Sequence, residues 1–361
     1  MTLKNTKTPK AVLTVLKIFI LIFLFINFNF TYTGPIESES LENTTKPQLY
    51  TSNSIQYQLE WYRLWGDSRT QGGFGLTIDS NYNIYQAAYT SDGPYGSNDA
   101  ILIKSTFSGD HVWSRTWGGS GDDVASAVAV DSLSNIYLTG SKDIPNDVIF
   151  LVKYDVLGNK IWQRTWNGVS DVQSRGIAID SHNDIYIVGY GGGNMVLIKY
   201  NRYGAVIWER NWVFSRGYDI RIDSQDNVYV TGATRSFTDG SNDMFLVKYN
   251  SLGTQLWKRT WGGIDSDISY SITIDPEDNI YIGGTTESYG TIGVSNIALL
   301  KYDGSGNLIW NSTYMKGGCK SIDIDSYGNI TVTGIVYIDG DSYIYVGTYN
   351  SFGQPTWNTT W

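Results

Sequence analysis

Residues 113–166 read WSRTWGGSGDDVASAVAVDSLSNIYLTGSKDIPNDVIFLVKYDVLGNKIWQRTW. The stretch opens and closes on one signature, two Trp residues separated by three others. Between the signatures lie short runs rich in β-branched and aromatic residues, divided by Gly, Asp, Asn and Pro. Ser126–Val130, Asn135–Thr139, Ile149–Tyr154 and Lys160–Trp166 read as four strands, A, B, C and D. Four short strands in a unit of about fifty residues make a β-propeller blade.

The signature recurs along the chain. All thirteen Trp residues obey it, as Trp61/Trp65, Trp113/Trp117, Trp162/Trp166, Trp208/Trp212, Trp257/Trp261 and Trp357/Trp361, with Trp310 facing Tyr314. Successive copies lie 52, 49, 46, 49, 53 and 47 residues apart. Other landmarks keep the same phase. An Asp ends each A run (Asp79, Asp131, Asp180, Asp223, Asp275 and Asp325), and a Gly stands four residues before most first Trps. A fixed period near fifty signals an array of like units, not a mosaic of domains. A solenoid of stacked hairpins would need shorter repeats.

The blocks W-x-R-T-W-G-G, D-x3-N-I-Y-x-x-G and L-V-K-Y-x-x-x-G resemble the SBBP β-propeller repeats of exported bacterial and archaeal proteins. The resemblance spans about residues 61–361. It implies a propeller fold and no particular activity. The last two units depart most, with Tyr314 for a Trp in one, and Thr331 for Tyr and Thr348 for Lys in the other.

The repeated residues suit structural tasks. The turn Asp can accept backbone N–H groups of the A–B turn; the D-x3-N spacing is not that of an EF-hand loop. Arg63, Arg115, Arg164, Arg210 and Arg259 stand between the two Trps of strand D, on one face with both indoles. They read as part of a seam between blades, with a cation–π contact.

The expected architecture is all-β: a propeller of six complete four-stranded blades plus an extra N-terminal D-type strand near Tyr57–Trp65. Six blades are favoured over an incomplete seven-bladed ring, since an open ring exposes sheet edges. Residues 55–361 form the propeller domain, 34–54 a polar linker, and 1–33 a signal peptide or signal anchor. Lys4, Lys7 and Lys10 precede an apolar run from Ala11 to Phe30, which is the pattern of an export signal. The expected location is therefore extracellular, or anchored to the outer face of the cytoplasmic membrane, with the membrane met only through this segment.

The formal net charge is −9. The first 33 residues hold four lysines and no acid, so the remainder carries −13. Such a body repels phosphate backbones, which argues against nucleic acid as a partner. A single Cys and two His residues leave little for a thiol, zinc or His-based centre. No catalytic grouping is recognisable, and the expectation is that the chain is not an enzyme.

The A–B and C–D connections repeat, whereas the B–C and D–A connections vary, so binding is expected on the variable face and at the channel mouth. Five B–C loops hold an aromatic: Tyr95, Tyr190, Phe237, Tyr289 and Tyr337. These could stack a sugar or grip a peptide, or fold over their own loop bases. Arg221 and Asp323 stand two residues before the turn Asp, where four other units carry Thr or Ala. Each would line the channel, and either pair with a partner or contact a ligand. Asp122, Asp123, Asp171 and Asp267 recur in D–A loops as loop caps or, if they converge, as ligands for Ca2+; no other cofactor is expected. The resulting expectation is a binding or interaction module for a protein or glycan partner. The alternatives are a carbohydrate-active hydrolase or lyase using channel-mouth carboxylates, and a structural surface-layer or adhesin component.

Overall fold

The computed structural model describes residues 71–360 apart from 92, 96, 143–147, 169, 236–240 and 291–292. The export segment, the linker, the D-type strand near Tyr57–Trp65, Phe237 and Trp361 lie outside the described residues.

Among the described residues there are 23 strands and no helix. Unit 1 holds β1 (Gln71–Ile78), β2 (Ile84–Thr90), β3 (Asp99–Ser105) and β4 (His111–Trp117). Unit 2 holds β5 (Asp123–Val130), β6 (Ile136–Lys142), β7 (Val148–Tyr154) and β8 (Lys160–Trp166). Unit 3 holds β9 (Gln173–Ile179), β10 (Ile185–Gly191), β11 (Asn194–Tyr200) and β12 (Val206–Trp212). Unit 4 holds β13 (Ser215–Ile222), β14 (Val228–Thr234), β15 (Asp243–Tyr249) and β16 (Gln255–Trp261). Unit 5 holds β17 (Asp267–Ile274), β18 (Ile280–Thr286), β19 (Asn296–Tyr302) and the first half of β20 (Leu308–Ile324). Unit 6 holds the second half of β20, β21 (Ile330–Ile338), β22 (Asp341–Tyr349) and β23 (Pro355–Thr360).

Every unit is an antiparallel sheet in chain order, A to D. Units 5 and 6 share one seven-stranded sheet because β20 runs unbroken from the D position of one to the A position of the next. The D–A connection there has shrunk to Met315–Gly317, and no turn residue interrupts it before Gly317.

The inner row is made by the A strands: β1 packs on β5, β5 on β9, β9 on β13, β13 on β17, and β17 on β20. This is a propeller-like arrangement. Among the described residues no packing of that extent joins unit 6 to unit 1. Each of the five large hydrophobic cores sits between two units rather than within one. Leu102 and Trp117 of unit 1, for example, meet Val128, Phe150 and Tyr154 of unit 2, with the Trp117 and Phe150 rings 4.1 Å apart. Burying one such side chain contributes about 1.5–3 kcal/mol. The B and C strands are buried on both faces, which is why they read as continuous apolar runs. The D strands expose one side and carry the charged residues.

The repeated polar residues hold the units in register. Asp223 Oδ1 accepts the N–H groups of Gln225 and Asn227, and Asp223 Oδ2 accepts Asn227 Nδ2 and Tyr229 OH. Lys248 Nζ stands 3.3 Å from the same carboxylate and donates to Gly304 O of the following unit. The Asp of the other five units caps its turn in the same way. Arg115, Arg164, Arg210 and Arg259 each stack beside the first Trp of their strand and donate through Nε to a Gly carbonyl in the next unit's C–D turn. At Gly253 the approach is close: a Cβ would sit 2.8 Å from Arg210 Nη2, on a backbone with φ of +79°.

One feature of the A strands has no counterpart in the repeat as read from sequence. Each carries a β-bulge five residues before its turn Asp, so that two residues face one on the B strand. The bulged residues are Phe74, Ser126, Arg175, Tyr218, Tyr270 and Lys320.

Candidate functional site

A bulge turns its side chain out of the ladder, here on the inner row of strands and in their half nearest the variable loops. Over units 4 to 6 the bulged side chains touch in sequence, and that of unit 3 joins them through Tyr190. The Tyr218 and Tyr270 rings lie 5.4 Å apart, and Lys320 Nζ stands 4.1 Å over the Tyr270 ring. On the other side Tyr218 meets Tyr190 edge-on at 6.0 Å. Tyr190 is gripped by two guanidinium groups, Arg175 at 5.3 Å and Arg216 at 5.1 Å from its ring. Arg175 Nη2 donates to Tyr190 OH (2.8 Å) and to Gln173 Oε1 (2.7 Å), and Tyr190 OH donates to Gln173 Oε1 (2.8 Å). The outcome is a belt of three phenols and three cations at the inner strands of an otherwise acidic chain.

The electrostatics follow from this packing. Burial pulls the Lys320 ammonium below the usual lysine range. Burial, with Tyr218 and Glu287 nearby, pushes the Tyr270 phenol up, opposed by Arg175. The phenol faces can stack an apolar sugar face, while the cations can pair with an anionic substituent.

Tyr190 thus belongs to this belt, and it lies on β10 rather than in a loop, because the hairpin after it is only Gly191–Asn194. Tyr337 likewise lies on a strand, β21, rather than in a loop, and the other described aromatics expected in loops stay apart from the belt. Tyr95 and Tyr337 are 55% and 52% exposed. Tyr289 folds back, its ring 4.8 Å from Trp261 and its hydroxyl donating to Gly262 O at 2.8 Å. Arg221 pairs along its own strand with Asp219 at 2.9 Å, and Asp219 Oδ2 accepts Ser271 Oγ and Ile272 N of the next unit. Asp323 Oδ1 accepts Thr273 Oγ1 of unit 5 at 3.3 Å. Both stand one pleat further from the variable loops than the belt.

The loop carboxylates are scattered. Asp122 accepts Ser97 Oγ and Asn98 Nδ2. Asp171 is exposed, at φ of +50°. Asp123 and Asp267 are fully buried in separate seams. Among the described residues no three His, Cys, Asp or Glu side chains gather as a metal site. His182 is exposed in an A–B turn, 3.3 Å from Asp226. Cys319 is fully buried, and burial pushes its thiol up to about 12.

Sequence reasoning passed over Tyr218, Tyr270, Lys320, Arg175 and Arg216. The sequence does hold a signal for all of them but Arg216: the position five before the turn Asp differs in nearly every unit, amid positions that repeat.

Comparison with known proteins places these observations. No curated protein matches the chain. Among solved structures, a polysaccharide lyase of family PL25, an ulvan lyase bound to -[GlcA(1-4)Rha3S]-, is similar with a TM-score of 0.54 at 10% identity, over 78% of this chain and 81% of that one. The Dos1 propeller is similar with a TM-score of 0.51 at 13% identity, over 77% and 67%. A putative 6-phosphogluconolactonase from Bacteroides fragilis NCTC 9343 is similar with a TM-score of 0.51 at 10% identity, over 78% and 82%. At these identities the likeness is one of fold. It nonetheless corrects the expectation that the chain is not an enzyme, since the same fold serves a lyase and a putative lactonase, and the lack of a recognisable catalytic grouping says nothing against such chemistry. Two stretches, residues 112–141 and 257–290, match the model of the SBBP beta-propeller repeat. They fall on strands D to B across the first seam and across the fourth, where the structure places equivalent elements, so at these two places the chain carries a match to the SBBP beta-propeller repeat.

Proposed function

We propose that this chain is an exported propeller that binds acidic glycans at the variable-face end of its inner strands. The observation that carries the reading is the belt itself: Tyr190, Tyr218 and Tyr270 in ring contact, bounded by Arg175, Arg216 and Lys320. Neutral sugars need only the aromatic faces; the three cations add recognition of a uronate or sulfate group. The N-terminal apolar segment delivers the domain across the membrane, as a cleaved signal or an anchor, and is its contact with the bilayer.

A second reading of the same groups is a β-eliminating lyase. It is favoured by Tyr190 OH, which holds hydrogen bonds to both Arg175 and Gln173. A guanidinium can neutralise a uronate carboxylate while a phenol moves the neighbouring proton. One experiment separates the readings. The full chain is offered uronate-containing, sulfated and neutral oligosaccharides, and both binding and the ultraviolet absorbance of an unsaturated uronate product are followed. Binding of acidic but not neutral chains without product supports the module. Product formation makes it a lyase. Equal affinity for neutral chains, or none for any, defeats both. Tyr218→Ala is expected to weaken binding about tenfold, in line with the ~1.4 kcal/mol at the upper end for a stacked aromatic pair.

The finer reading of the fold is a ring of six blades in which the last unit meets the first. Support comes from Ile84, Ala88, Ile101 and Ile103, buried on the outer face of unit 1, and Val346 on unit 6. Small-angle X-ray scattering of the full chain should then show the compact profile of a closed ring; the extended profile of an open row of units counts against it.

A further inference from the structure

Two of the five seams between units carry a matched pair of buried carboxylates. In the first, Asp99 opens β3 and Asp123 opens β5; in the fourth, Asp243 opens β15 and Asp267 opens β17. The corresponding positions elsewhere are Val148 and Val172, Asn194 and Ser215, and Asn296 and Gly317. The pair therefore changes as a unit, and a Gly-Gly follows the second Trp only where it is acidic (Gly118-Gly119 and Gly262-Gly263).

The two acidic seams correspond in detail. Asp123 N donates to Asn98 O and Asp267 N to Asn242 O, both at 2.7 Å. Gly119 N donates to Asp123 Oδ2, and Gly263 N to Asp267 Oδ2. A Cβ on Gly118 would collide with Asp99 Oδ1 and stand 3.0 Å from Asp123 Oδ2. On Gly262 it would collide with Asp243 Oδ1 and stand 2.8 Å from Asp267 Oδ2. The glycines are what lets the two carboxylates approach one point.

The seams differ in one respect. Opposite Asp123 on the B strand stands Lys142, whose Nζ lies 3.2 Å from Oδ1 and 3.4 Å from Oδ2. Opposite Asp267 stands Thr286. Ser288 Oγ donates to Asp267 Oδ2 at 2.6 Å, and among the described residues no lysine or arginine pairs with this carboxylate. Asp267 Oδ1, fully buried, has no hydrogen-bond partner. It is the atom whose counterpart in the first seam is satisfied by the ammonium.

We propose that the fourth seam is a calcium site, in which one Ca2+ takes the place that the Lys142 ammonium holds in the first. Asp267 is buried beside a second carboxylate and lacks the ammonium that serves Asp123, and a buried anion in that setting needs a positive charge. The donors are hard oxygens: Asp243, Asp267 and Ser288, with main-chain carbonyls and water completing the shell. That set selects Ca2+ over a metal that prefers nitrogen or sulfur. The ion would tie unit 4 to unit 5 as the salt bridge supports the seam between units 1 and 2.

The test is thermal unfolding of the full chain in chelator and across a calcium titration, with calorimetric titration for stoichiometry. The wild-type midpoint should rise with the logarithm of calcium, by about 5 °C at a hundredfold excess over Kd, with one ion bound per chain. Asp267→Asn should abolish the rise, and Asp123→Asn should keep it. Thr286→Lys supplies the missing ammonium, so it should raise the midpoint in chelator and remove the calcium response. A wild-type midpoint indifferent to calcium, with stability set by pH alone, would mean a shared proton and overturn the proposal. So would a Thr286→Lys protein that folds and keeps the full calcium response.

Discussion

The two ends of the inner strands obey opposite rules. At the A–B turn end, all six units have an Asp capping the turn, five have a Tyr bonding to it, and a Lys stands over that Tyr ring in each of those five. Five residues upstream, at the bulge, the six units carry Phe, Ser, Arg, Tyr, Tyr and Lys. At each end the backbone geometry repeats from unit to unit, and only the demand on the side chains differs. Sameness follows where each unit solves one packing problem, and difference follows where neighbouring units jointly build a single surface. The contrast tells a reader of a repeat protein where to look: at positions whose backbone repeats while their side chains do not.

That contrast can be broken from either end. The largest effect belongs to the uniform end. Asp223→Ala removes the acceptor of two turn N–H groups and Tyr229 OH, and leaves Lys248 buried without its carboxylate. It should cost about 3–5 kcal/mol by urea unfolding. Any binding that survives should keep wild-type affinity; a selective loss of affinity at intact stability would mean the turn end also serves the ligand. Tyr218→Ala should do the reverse, with its tenfold weakening of glycan binding and a much smaller loss of stability. The smallest effect is in pH dependence. Burial holds Lys320 below the usual lysine range, so it loses its charge at lower pH than an exposed lysine. Affinity for an acidic glycan should therefore decline as pH rises through that lowered pKa. Lys320→Arg keeps the charge and should flatten the profile; an unchanged slope would remove Lys320 from the site.

Unit 6 sharpens the point about sameness. Thr331 and Thr348 stand where other units have the Tyr and the Lys, and Asp325 still caps its turn. The cap is local and survives alone. The Tyr and Lys, by contrast, are tied to the next unit: Lys248, for instance, reaches a carbonyl there. They are lost in the last unit described. Tyr314, in place of the second Trp of unit 5, donates to Gly353 O, so a phenol takes over a link that Arg makes elsewhere.

Much of this architecture is legible in the amino-acid sequence alone. The Trp period, the turn Asp, the Arg between two indoles and the alternation of the A strands are short-range patterns, and each has a local physical cause. The belt is not legible in the same way. Arg221 and Asp323 stand out as charges on an inner strand, yet Arg221 is engaged by Asp219 two residues away, and Asp323 by Thr273 of a neighbour. Tyr190 is visible as an aromatic but not as the partner of Tyr218. Likewise Asp123 and Asp267 are visible, whereas their mates Asp99 and Asp243 lie 24 residues upstream on another unit.

The four-stranded unit, its repetition and the residues that cap and latch it follow from spacing along the chain, because that spacing sets the hydrogen bonds and apolar alternation within one unit. Which residues from different units meet is settled by the packing of whole sheets. A bulge re-aims one side chain per inner strand, and the turn from one unit to the next brings those side chains together; both depend on how whole sheets pack, which no local spacing records.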